Sequence, residues 1–81
     1  MKVYVVQEHL VVSGDDNHKI WVFDSLEKAQ YQLNKQVEEF RKEYNSKDYY
    51  EDYSPNCYEC YEEGCWDLFN YWICIDKREV L

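Results

Sequence analysis

The chain has 81 residues and 17 acids against 9 bases, for a formal net charge of −8; that is one small domain, with a charge balance that disfavours binding to nucleic acid or to an anionic membrane. Two glycines and one proline leave little for long linkers, and nine tyrosines with three tryptophans argue against disorder. No run approaches the ~18 apolar residues of a membrane span, and Met1 to His9 lacks a signal-peptide pattern, so a cytoplasmic protein, monomeric by default, is expected.

Residues 2–12 read as a strand, with Val3 and Val5 on one face, Tyr4 and Val6 on the other, and Leu10-Val11-Val12 continuing the β-branched character. Turn formers fill Ser13-Gly14-Asp15-Asp16-Asn17, and Ile20-Trp21-Val22-Phe23 supplies a second strand, so the pair makes a hairpin. Asp24 at an N-cap with Glu27 three residues later fits a capping box, with Ser25 as the alternative cap. Leu26, Ala29, Leu33, Val37, Phe40 and Tyr44 then recur at intervals of three and four, one face of a helix of about 20 residues or roughly 30 Å. Lys28, Asn34, Lys35, Glu38, Arg41 and Lys42 form its solvated side. Residues 45–63 have poor periodicity and read as a loop with a turn at Ser54-Pro55-Asn56. Trp66 to Ile75 reads as a final strand that joins the hairpin, although Trp66, Phe69 and Ile73 also fit a short helix over 66–72. The expected architecture is α+β: one domain, residues 1–81, of β-β-α-β type. Residues 2–44 would form the hairpin and helix, and residues 45–81 an acidic, zinc-stapled loop with the last strand.

The staple is inferred from Cys57-x2-Cys60-x4-Cys65-x8-Cys74. Four closely spaced thiolates can complete a tetrahedral zinc shell, and in a reducing compartment cysteines bind metal more readily than they pair. His9 or His18 is an alternative fourth ligand in place of Cys74. Free buried or surface thiols are the next alternative, and the case for disulfides rises only in an exported protein. A redox Cys-x-x-Cys is disfavoured because Glu59, Glu62 and Glu63 surround it, whereas a reactive thiol needs positive neighbours. The zinc is structural, since four cysteines close the shell and no general base accompanies them. Asp15, Asp16 and His18 lack the spaced oxygen ligands of a calcium loop. With no phosphate-binding glycine loop and no Ser-His-Asp set, the chain is not expected to be an enzyme.

The charge is concentrated. From Glu43 to Asp67 there are eight acids against one base, Lys47, so this segment holds −7 of the −8. Six of the nine tyrosines lie between Tyr44 and Glu63. One reading is a solvated loop. The other is a binding face for a basic protein, with Tyr50, Tyr53 and Tyr58 giving contact area and Glu51, Asp52, Glu59, Glu62 and Glu63 giving charge that mimics nucleic-acid phosphates.

In its cysteines Cys57, Cys60, Cys65 and Cys74 together with the acidic run from Tyr49 to Glu63, the chain resembles the small phage-encoded anti-CRISPR proteins, in particular zinc-containing inhibitors of type II-A Cas9. The resemblance lies in overall character and the cysteine cluster, and covers the second half of the chain better than the first. It implies a stoichiometric inhibitor that occupies a basic channel of a Cas9-type nuclease and blocks loading of target DNA. The alternative is a small intracellular zinc-stabilised adaptor or regulator that binds another basic protein.

Overall fold

The computed structural model describes residues 1–13, 15–44, 49–62 and 69–79. Among these residues, five strands and one helix follow in the order β1 (Lys2–Val12), β2 (Asp15–Phe23), α1 (Leu26–Glu43), β3 (Tyr49–Ser54), β4 (Cys57–Glu62) and β5 (Phe69–Glu79). All strands join one antiparallel sheet with the spatial order β2-β1-β5-β4-β3. The class is α+β as expected, but the order is β-β-α-β-β-β. Two strands occupy the stretch expected to be a loop, and β5 pairs with β1 from Phe69↔Val12 to Glu79↔Lys2. Within the proposed 66–72 helix, Phe69 to Trp72 are strand; residues 66–68 lie outside the described residues.

Alternation along each strand sends one set of side chains towards the helix and the other to the opposite, open face. Val6, Phe69, Tyr71, Ile73, Tyr58 and Cys60 point towards α1 and meet Ala29, Leu33, Val37 and Phe40, the buried stripe of the helix. Phe40 is the hub. It stacks on Tyr71 with ring centroids 4.0 Å apart and planes 10° from parallel, and it also touches Tyr44, Tyr58 and Phe69. Aromatic pairs contribute beyond their buried area, which helps a domain whose core is one helix deep. Among the described residues the sheet and the helix make two layers, and the molecular extents are 41 × 21 × 17 Å.

The helix starts at the alternative cap. Ser25 is extended (φ −141°, ψ 150°) and its Oγ accepts from the Lys28 amide at 3.2 Å. The capping box based on Asp24 does not form, because the first helical residue is Leu26 and the third is Lys28 instead of Glu27. Asp24 instead receives the Lys28 ammonium at 2.9 Å, and that hydrogen bond holds its carboxyl below the usual range. At the other end the Tyr44 amide donates to Phe40 O, with Arg41 and Lys42 in the last turn, where cations suit the helix dipole. No helix among the described residues is long and apolar enough to cross a membrane.

Candidate functional site

The acidic, tyrosine-rich segment is built on the β3–β4 hairpin. Ser54 pairs with Cys57 across a two-residue connection, Pro55-Asn56, and the Ser54 hydroxyl donates to Cys57 O at 3.1 Å. Proline presets φ for a tight reversal, and the register that follows is Tyr53↔Tyr58, Asp52↔Glu59, Glu51↔Cys60 and Tyr50↔Tyr61.

The register divides the expected contact residues between two faces. Glu51, Tyr53, Tyr58, Cys60 and Glu62 belong to the helix side; Tyr50, Asp52, Cys57, Glu59 and Tyr61 belong to the open side. Tyr58 is fully buried, which removes it from any contact surface. Its hydroxyl donates to Glu51 Oε1 at 2.7 Å, and Arg41 Nη2 donates to Glu51 Oε2 at 3.4 Å while its guanidinium lies 5.2 Å from the centre of the Tyr58 ring. Burial, and then the Glu51 carboxylate, push the Tyr58 phenol well above its ordinary value. Both Glu51 carboxylate oxygens therefore have partners within the molecule, although the side chain remains 45% exposed. Tyr53 is 53% exposed with its hydroxyl on Asn34 Oδ1 at 2.9 Å, and Tyr50 is 49% exposed and stacked on Tyr61 at 5.7 Å. Asp52 and Glu59 stand directly opposite each other, and no hydrogen bond or ion pair reaches either among the described residues. Like charges in that relation destabilise a sheet. Glu63 lies outside the described residues.

The cysteines are arranged differently from the expected shell. Three residues apart on one strand, Cys57 and Cys60 project from opposite faces of β4. Cys57 pairs across the sheet with Cys74 of β5, and the two form a disulfide with Cα atoms 4.1 Å apart. Cys60 is a free thiol in the core, pushed up by burial despite its contact with Tyr58, as suits an inert packing residue. Cys65 lies outside the described residues. No group of three His, Cys, Asp or Glu side chains fit to hold a metal occurs among the described residues. His9 and His18, the alternative ligands, sit on the open face as a cross-strand pair with rings 5.7 Å apart. Both contact Trp72, and His9 Nε2 meets Asp16. Sequence reasoning missed this cluster because strands 1 and 2 were not registered against one another; the pairing His9↔His18 supplies the signal.

A polar chain also runs under α1. Tyr71 donates to Glu8 Oε2 at 2.7 Å, Gln36 donates to the same oxygen at 3.0 Å, and Gln32 donates to Gln36 at 3.0 Å. Burial, reinforced by the Glu8 carboxylate, pushes the Tyr71 phenol far up. The arrangement suits structure better than catalysis, since Tyr71 is buried and its proton is committed to Glu8.

Set against protein-family models, curated proteins and solved structures, the chain matches none.

Proposed function

We propose that the chain is a non-enzymatic binding module whose β3–β4 hairpin docks on a basic protein surface. The observation that supports this is the composition and exposure of the hairpin: Glu51, Asp52, Glu59 and Glu62 with no base, beside the half-exposed rings of Tyr50 and Tyr53. The unrelieved Asp52–Glu59 pair adds to it, because a lysine or arginine placed between two opposed carboxylates removes a repulsion as well as making a contact. Charge of one sign steers encounter and makes association salt-sensitive. The resemblance to anti-CRISPR proteins makes a Cas9-type nuclease the first partner to test, with Asp52 and Glu59 standing where nucleic-acid phosphates would otherwise lie.

The test is a gel-shift assay of target-DNA loading by a Cas9–guide RNA complex, at low and at high salt. The reading expects loading to fall with added protein at low salt and to recover with salt or with Asp52→Lys/Glu59→Lys. Unchanged loading under all conditions removes the nuclease as partner. A low-salt pull-down then decides whether another basic protein is captured, as the adaptor reading requires.

A further inference from the structure

Resting on that docking reading, we infer that β3 is an open sheet edge built to take up an extended, lysine- or arginine-bearing segment of the partner as a sixth strand. Within the described residues β3 pairs with β4 alone, and it closes the sheet on that side. Which of its backbone groups face outwards follows from the neighbouring pairs. The Ile75 amide donates to Asn56 O at 2.8 Å, so the next pair, Cys57 and Cys74, is a non-hydrogen-bonded one. The backbone groups of Cys57 therefore turn towards β3. Alternation then turns Ser54 and Asp52 inwards and leaves the N–H and C=O groups of Glu51 and Tyr53 pointing away from the sheet. An unpaired ladder of this kind is a template for strand addition.

The chemistry around the edge selects the occupant. A second copy of the same edge would bring Glu51 and Asp52 against their own like, which is the ordinary way an edge is protected from self-pairing. A basic segment meets no such barrier. On the open face the incoming side chains meet Asp52, with Glu59 behind it and no base in the hairpin. On the helix face they enter an open groove of about 640 Å³ between α1 and β3, lined by Asn34, Val37, Glu38, Arg41 and Tyr53. Arg41 there is paired with Glu51, Val37 and the Tyr53 ring give apolar surface, and Glu38 adds a carboxylate, so that side takes an apolar side chain or the aliphatic stem of a second basic one. The two faces together specify an alternating pattern, basic towards Asp52 and apolar towards Val37 and Tyr53. Six residues of β3 span about 20 Å at the usual strand rise, which sets the segment at about six residues.

The probe is a synthetic peptide alternating lysine and valine, with an N-methylated version of equal charge as control, titrated at low salt and followed by amide hydrogen exchange. The proposal expects slowed exchange at the Glu51 and Tyr53 amides, and binding at least tenfold weaker for the N-methylated peptide. Tyr53→Pro, which removes the outward N–H together with the ring and its Asn34 bond, should lose binding tenfold or more, while Tyr53→Ala, which loses the same ring and bond but keeps the N–H, should lose clearly less. If both peptides bind alike, with no protection at Glu51 and Tyr53, strand addition is wrong and charge docking stands. If neither the peptides nor a basic protein binds at low salt, both readings fall. The exchange measurement uses the unaltered protein, so it decides the matter even if Tyr53→Pro does not fold.

Discussion

Removing the Cys57–Cys74 link tests the account of the C-terminal third most directly. The bridge closes a chain separation of 17 residues, and in the chain-entropy treatment a loop of that size constrains the unfolded state by about 3 kcal/mol. That is a large share of the ~5 kcal/mol or so available to a domain this small. At roughly 4–8 °C per kcal/mol, the melting temperature should fall by about 12–24 °C. The drop should appear on adding a thiol reductant, and again in Cys57→Ser/Cys74→Ser, which should not respond to reductant. A chelator should leave the melt unchanged.

Cys60 separates this account from a shared zinc. In the disulfide arrangement Cys60→Ala removes one buried sulfur and costs on the order of 1 kcal/mol. In a shell made by Cys57, Cys60, Cys65 and Cys74 it would remove a ligand and loosen the whole segment. Thermal melts by far-UV circular dichroism, with thiol counting and elemental analysis, read all of these together. A melt indifferent to reductant but lowered by chelator, with about one equivalent of zinc bound, would refute the disulfide arrangement and support the zinc shell.

Three further outcomes follow from the packing and the charges. Ile73 is fully buried beneath α1, so Ile73→Ala should cost about 2–5 kcal/mol in denaturant unfolding. Asp52→Asn/Glu59→Gln should raise stability by about 0.2–1 kcal/mol through loss of the cross-strand repulsion, yet weaken binding to any basic partner; a variant both less stable and equally competent would count against the hairpin as a binding face. The phenols of Tyr71 and Tyr58 are raised in the folded state, so they keep their protons at pH values where the unfolded chain has lost them. Stability is then full below about pH 10 and declines as pH rises above it. Tyr71→Phe should flatten that alkaline decline, seen in chemical unfolding across pH, while costing about 1.5–3 kcal/mol at neutral pH for the bond to Glu8.

Most of the first half of the molecule was legible because each element there has one wet side and one dry side. The stripe Ala29, Leu33, Val37, Phe40 is buried as its spacing requires, and β1 covers residues 2–12 as its β-branched pattern predicts. The second half defeated the same reasoning for a physical reason. As an edge strand barely covered by α1, β3 places Glu51 towards the helix and Asp52 away from it, so no polar–apolar alternation survives. On β4 the run Cys57-Tyr58-Glu59-Cys60-Tyr61-Glu62 repeats every three residues, which conceals the period of two that a strand obeys. The same repeat made Cys57 and Cys60 look like a metal knuckle. In a turn a gap of two brings the sulfurs together; in a strand, three steps put one on each face. What decides between those outcomes is the pairing of Cys57 with Cys74, a contact between strands that spacing within one strand does not encode. That pairing leaves Tyr58 and Cys60 to the core and sets Asp52 and Glu59 side by side on the open face, where their mutual repulsion is the feature a basic partner can use.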